Sequence, residues 1–446
     1  MSDFDSIDYF TDQSLVADPH PYFDHLRAKC PVVREPHHGV LAITGYEEAG
    51  AVLKDSDTFS SCNSVAGPFP PLPFTPEGDD VTEQIAAHRS HMPMFEHMVT
   101  MDPPEHTNAR SLLNRLLTPN RLKENEDFMR RLADECIDAL LDLGISADEG
   151  KCEFLSAYAK PFSLLVIADL LGVPEEDRAQ FRTVLGAPQP GTTIGSLERE
   201  ALASNPLAWL EETFIGYLED RRTSPRDDVL TALASAKYPD GTTPPAIEVA
   251  RTATLLFAAG QETTTKLLSA SLRILGEHRE IQDALRGDPS AIPRFVEETL
   301  RMDAPVKSQF RLARKTTAVG TTAVPAGSTL MVCPGAVNRD PRRFERPHEF
   351  DMDRSNVREH IAFGRGLHSC PGGPLARAEA RVSIERILAR MSDIGIDDEF
   401  HGPPGSRSYT HEPTFILHGL TELHLTFTTR PDQALPNPDT SAQEAP

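Results

Sequence analysis

The sequence predicts a helix-rich α+β fold, on three observations. Between residues 104 and 300 apolar residues recur at helical spacing with few interruptions. Runs that read as strands are short and lie near the two ends, at 31–46, 305–335 and 412–427. No linker-like composition divides the chain, so residues 1–429 read as one unit and the polar, proline-rich 430–446 as a disordered tail.

The elements follow in order. PHPYFDHLRAK suits a short helix. PVVREPHHGVLAITGY suits two strands turning at His38-Gly39, and YEEAGAVLKD a second helix. Residues 60–100 are rich in Pro, Phe and Met and read as a long irregular segment, the usual form of a lid or binding loop. Helices are predicted in PEHTNARSLLNRLL, RLKENEDFMRRLADECIDALLDL, PFSLLVIADLLG and PLAWLEETFIGYLEDRR. The long, mostly apolar EVARTATLLFAAGQETTTKLLSASLRILGEH should be a buried central helix. VPAGSTLMVCPG and EPTFILHGLTELHLTF are each expected to form a hairpin.

Composition excludes several functions. A net charge of −23 opposes binding to nucleic acid or to anionic membranes. No apolar run approaches the roughly 18 residues a membrane span needs. The acidic start, MSDFDSIDYF, lacks the features of a signal peptide. Six scattered cysteines, none spaced as CxxC, suggest neither a disulfide framework nor a zinc ribbon. A reduced, cytoplasmic protein is expected, and a monomer.

One cysteine is different. FGRGLHSCPGG places Cys370 among Gly364, Gly366, Gly372 and Gly373, directly before the helical pattern PLARAEARVSIERILARM. Glycines allow close backbone approach to a flat group, and a helix N-terminus steadies a thiolate. A buried core cysteine would have no use for such surroundings.

FGRGLHSCPG resembles the haem-binding signature of the cytochrome P450 family, F-x-x-G-x-x-x-C-x-G, at every fixed position. Further landmarks stand in family order: MDPPEHTNARSLL, AGQETT, Glu298-x-x-Arg301 and NRDPRRF. The likeness covers residues 15–428 and is to the soluble bacterial members. It implies haem b (protoporphyrin IX iron) with Cys370 as the axial ligand to the metal, a thiolate that favours O–O cleavage. Phe363, Gly364 and Gly372 then shape the cofactor loop. His106, Arg110, Arg311 and His368 would hold the haem propionates. Thr263 and Glu262 would be the alcohol and acid that deliver protons, with small Ala259 and Gly260 leaving room for O2. Thr263 can also bond back to the Ala259 carbonyl.

Glu298 and Arg301 are assigned to stability. The cation that joins them in many members is replaced by Glu349, leaving Arg346, His348 or Arg354 to take its place. Pro371 also departs from the pattern: it lacks an N–H, so the sulfur has one fewer amide donor available.

Resemblance alone suggests the pocket walls: the 60–100 loop with Met98, the 185–205 connection, Leu255, Leu256 and Ala259, Val306 to Phe310, and Phe415 and Ile416. These imply a small hydrophobic substrate of moderate size, such as a terpenoid, steroid or fatty acid, to be hydroxylated or epoxidised. Electrons would come from a separate ferredoxin and ferredoxin reductase, since no flavin or iron–sulfur motif occurs. Residues 339–390 hold eleven Arg against eight Asp plus Glu, which with Arg115, Arg121 and Lys123 would suit an acidic donor. The competing reading is a non-catalytic haem-thiolate ligand-binding or sensing protein, which would have no use for Glu262 and Thr263.

Overall fold

The computed structural model describes residues 4–113, 116–146, 149–185 and 207–430. The chain opens with α1 (His20–Lys29), β1 (Val32–Arg34), β2 (Leu41–Ile43), α2 (Tyr46–Lys54), β3 (Phe59–Ser60) and α3 (Thr82–His88). The helical part then runs through α4 (Glu105–Leu113), α5 (Pro119–Gly144), the small strands β4 (Ile145–Ser146) and β5 (Glu149–Glu153), α6 (Lys160–Leu170) and α7 (Arg178–Leu185). It continues with α8 (Ala208–Thr223), α9 (Val229–Ala234), α10 (Ala246–Glu277), α11 (Arg279–Gly287) and α12 (Ile292–Met302). Strands β6 (Gln309–Ala313), β7 (Thr317–Val319), β8 (Thr322–Val324) and β9 (Thr329–Val332) lead to α13 (Pro334–Val337) and α14 (Gly373–Arg390). The described chain closes with β10 (Met391–Ile396), α15 (Asp398–His401) and β11 (His424–Thr429).

The 32-residue α10 is the expected central helix. Pro245 sets its start, and Glu248 sits in the first turn, where free amides favour an acid. It packs against α6, α8, α4, α12 and α14. Its flanks, from Val249 to Phe257 and from Thr264 to Leu275, are almost wholly buried in the largest core cluster.

The strands make sheets ordered β1-β2-β9-β6-β3, β10-β11-β5-β4 and β7-β8. The turn at His38-Gly39 is as expected, with Gly39 at φ +70°. The two later hairpins differ from expectation. The bend at Pro325–Ser328 exists, but β8 pairs back with β7, while β9 runs parallel to β2 and antiparallel to β6. A tight turn with two partner sheets looks like a hairpin when only local sequence is read. Near the C-terminus, His411 and Leu420 form a single bridge, and β11 pairs instead with β10 and β5. The 185–205 connection beyond residue 185, and the tail beyond 430, lie outside the described residues.

Candidate haem site

The Cys370 loop is held by its own backbone. The Cys370 amide donates to the Phe363 carbonyl at 2.8 Å, and the Gly364 amide donates to Ile361 at 2.8 Å. Gly364 and Gly366 sit at φ +65° and +70°, where side chains are strained. Gly366 also lies against α2: a Cβ there would stand 2.2 Å from the Leu53 carbonyl oxygen. The loop ends at the start of α14, with Pro374 in the first turn.

Cys370 is open on one side and walled on the others. It is solvent-accessible, and enough protein surrounds it that burial pushes its thiol pKa up. Amides of Gly372 and Gly373 donate to the sulfur and, with Arg110 and Arg377, oppose that shift by favouring the thiolate. The donors at the helix mouth are the two residues after Pro371. The Phe363 ring packs under Arg377, 4.4 Å from its guanidinium carbon. Arg377 pairs with Glu297, which is also 2.9 Å from His360 Nε2. Burial raises the Glu297 pKa, but hydrogen bonds from His360 and Arg377 outweigh it and hold the carboxyl at about 2.

Four basic residues from three distant segments converge beside this loop. His106 lies on α4, Arg110 one turn later, Arg311 on β6 and His368 in the cysteine loop. The His106 and His368 rings stand 4.1 Å apart. Burial lowers the His106 pKa to about 4, helped by repulsion from Arg110 and Arg311. Burial likewise lowers His368 to about 3, with Arg311, His106 and Arg110 adding to it. Arg311 is buried, pushed down to about 10, and donates to the Phe310 carbonyl. Both ring nitrogens of His106 and Nε2 of His368 are buried without a protein partner. Buried polar atoms left unpaired among like charges are costly. Two carboxylates placed here would satisfy them, so the residues fit a haem with its propionates.

Midway along α10 the burial breaks. Ala259 is exposed, and Leu255, Ala258 and Gly260 to Thr263 are partly open, between two buried stretches. Thr263 Oγ1 donates to the Ala259 carbonyl at 2.8 Å, the back-bond its position suggested. Glu262 Oε1 accepts from Lys266 Nζ at 3.1 Å. A Cβ at Gly260 would make only ordinary contact with Ile167, at 3.6 Å.

The pocket candidates separate. Met98, Leu255, Val306 and Ile416 are partly open, whereas Leu256 is buried in the main core. Phe310 and Phe415 lie in an aromatic cluster with Tyr9, Phe10 and Phe69.

Glu298 and Arg301 form a fully buried bidentate pair, at 2.7 and 2.8 Å. The third cation is Arg354, whose Nε lies 3.2 Å from Glu298 Oε1. Glu349 contributes only its carbonyl, to Arg301 and Arg354. Arg346 turns to Glu349 and Asp351, and His348 to Asp24. Two acidic side chains of note escaped the sequence reading. Glu379 on α14 is fully buried beside Thr264, and burial raises it to about 8. Glu412 holds the far side of Lys266. No spacing rule points to either.

Such an arrangement fits a ring with two acidic arms, approached by a thiolate. Comparison with known proteins agrees. The family model for cytochrome P450 matches residues 211–392. The chain is 33% identical to cytochrome P450 monooxygenase PikC of Streptomyces venezuelae, over 92% of this chain and 91% of that one. It is 32% identical to 6-deoxyerythronolide B hydroxylase of Saccharopolyspora erythraea, over 84% and 89%. The substrate-free structure of CYP150A6 from Mycobacterium marinum superposes with a TM-score of 0.89 at 62% identity, covering 96% of this chain and all of that one. The chain therefore belongs to the cytochrome P450 family and is a haem-thiolate monooxygenase. Its cofactor is haem b bound through a cysteine thiolate, and its reaction uses O2, a small substrate and a redox partner. Among the described residues no helix is long and apolar enough to cross a membrane.

Proposed function

We propose that Cys370 supplies the thiolate, that His106, Arg110, Arg311 and His368 hold the propionates, and that Glu262 and Thr263 deliver protons during hydroxylation of a moderately sized hydrophobic substrate. The observation that carries this reading is the convergence of two arginines and two imidazoles, with three unpartnered ring nitrogens, beside the exposed Cys370.

When bound, the haem supplies activation of O2 for insertion of one oxygen atom into the substrate. The protein does the rest. Gly372 and Gly373 amides and the α14 N-terminus stabilise negative charge on Cys370 Sγ. The open stretch Ala259–Thr263 leaves space for a small ligand against α10. Thr263 Oγ, released from the Ala259 carbonyl, can donate into that space, and the Glu262 carboxylate can take protons from solvent and pass them inward. Partly open Met98, Leu255, Val306 and Ile416 would exclude water and orient an apolar substrate.

Neighbours' ligands support a hydrophobic substrate without naming one. CYP109E1 from Bacillus megaterium is seen with testosterone and with corticosterone, at 27% identity, and an EryK variant with erythromycin B, at 28%. Electrons would come from a separate ferredoxin and ferredoxin reductase. Eight of the eleven arginines in 339–390 are ion-paired, so docking would rest on a net excess rather than on free cations.

The test is a screen of terpenoids, steroids, fatty acids and macrolides for a low-spin to high-spin shift, followed by measurement of reducing equivalents consumed with each hit. Substrate-dependent consumption with oxygenated product supports the reading. Tight binding of hits with no consumption supports a ligand sensor instead.

A further inference from the structure

Lys266 lies one turn beyond Glu262 on α10 and is only 6% exposed in its side chain. Its ammonium contacts two carboxylates: Glu262 Oε1 at 3.1 Å and Glu412 Oε2 at 2.6 Å. Both partners are more open, at 37% and 39%. A buried ammonium is costly unless paired, so Lys266 must keep at least one of them.

Glu412 begins the loop that carries Phe415 and Ile416. That loop closes on itself through the Glu412 amide to the Gly419 carbonyl, at 3.0 Å, and the His411–Leu420 bridge. One side docks on the strand entering β6: amides of Lys307 and Ser308 donate to the Ile416 carbonyl, and Ser308 Oγ to that of Phe415. The other side lies directly on the Lys266 stem. A Cβ at Gly419 would stand 2.4 Å from Lys266 Cγ, so only a bare backbone can lie there. The only charged side chains within ion-pair distance of Glu262 or Lys266, among the described residues, are these three.

We propose that Lys266 is a positioning residue that makes the freedom of the Glu262 carboxylate depend on the seat of the 411–420 loop. This rests on the reading of Glu262 as the proton-relay acid. With the loop seated, as in this structure, Glu412 shares the ammonium at the shorter distance, so the hold of Lys266 on Glu262 is weakened and the carboxylate can leave it for Thr263. With the loop displaced, the ammonium falls wholly to Glu262 and pins it to its own helix. Because Ile416 is a partly open wall of the candidate pocket, a substrate that presses the loop home frees the relay. An empty site keeps protons back and wastes fewer electrons on O2.

The experiment compares wild-type holoenzyme with Lys266→Met, Lys266→Arg, Glu412→Gln and Glu262→Gln. Each is driven by a plant-type ferredoxin and its reductase without added substrate, and the rate of O2 consumption is followed. Met keeps the stem beneath Gly419, and Glu412 is partly exposed, so these variants should fold. The share of O2 consumption lost in Glu262→Gln marks that acid. Lys266→Met removes the cation that pins the acid and raises substrate-free consumption about twofold or more, while Glu412→Gln leaves the ammonium to Glu262 and lowers it. Lys266→Arg keeps it near the wild-type rate. Hydrogen exchange of residues 411–420 rises about threefold or more in Lys266→Met and Glu412→Gln, and not in Glu262→Gln. A merely structural lysine would move the two variants' rates the same way or neither; either result overturns the coupling while leaving the relay intact. A Glu262→Gln rate equal to wild type overturns the relay reading itself, and the coupling with it.

Discussion

Arg354 Nε lies 3.2 Å from Glu298 Oε1 and completes a buried cluster in which one carboxylate holds two guanidiniums. Arg354 also donates to the carbonyls of Arg346 and Glu349, so it ties the segment before the cysteine loop to α12. Replacing it with Ala leaves those carbonyls and part of Glu298 unpaired in the interior. We expect Arg354→Ala to lose about 3 kcal/mol of unfolding free energy, read by urea titration of the holoprotein. Lys, which lacks the planar fork, should recover only part of it. An Ala variant as stable as wild type would mean the cluster is not structural.

His106 predicts an acid effect whose sign is fixed. Its pKa is about 4 in the folded chain against 6.5 for a free histidine, because burial and nearby cations disfavour the charged form. The unfolded chain takes up a proton below 6.5 that the folded chain refuses. Stability therefore falls as pH drops from about 6.5 to 4, by up to roughly 3 kcal/mol. His106→Phe apoprotein should show a flatter curve over that range than wild type. Haem, by bringing carboxylates to the ring, should flatten the wild-type curve too.

Glu379 gives the opposite slope. Burial holds its carboxyl at about 8, above the ordinary 4.5. The folded state keeps a proton the unfolded state releases, so the contribution is full below 4.5 and is lost as pH rises through 8. Glu379→Gln should be more stable than wild type at pH 8 to 9, by a few kcal/mol at most, and equal at acid pH. Chemical unfolding at both pH values decides it.

Much of the candidate site is legible in the sequence because its chemistry is local. Four glycines around one cysteine, ahead of a helical repeat, stand out in any window. The central helix was equally plain from its length and apolar pattern. What was hidden depends on long-range pairing. The Pro325–Ser328 bend could not show that β9 leaves it to join β2, whose partner Leu41 lies far upstream of Leu330. Nor could local sequence show that Phe310 and Phe415 meet Phe10 from the N-terminal segment. Arg354 was one of three candidates until geometry chose it. Lys266 and Glu412 are separated by too many residues for any spacing argument to join them.

Pro371 offers a sharper test of the thiolate's surroundings. Gly372 and Gly373 donate their amides to Sγ, and Pro371 has none to give. Pro371→Leu can add a third donor and draw charge from the sulfur. Its reduction potential, by redox titration of the holoprotein, should be higher than wild type. An unchanged or lower potential would show that proline serves only the helix start.

The most direct check of the central claim is the carbon monoxide difference spectrum of the reduced holoprotein, taken for wild type and Cys370→Ser. Thiolate ligation by Cys370 gives a strongly red-shifted Soret band in wild type and its loss in the variant. A wild-type spectrum without that band, or a variant that retains it, would contradict the assignment of Cys370.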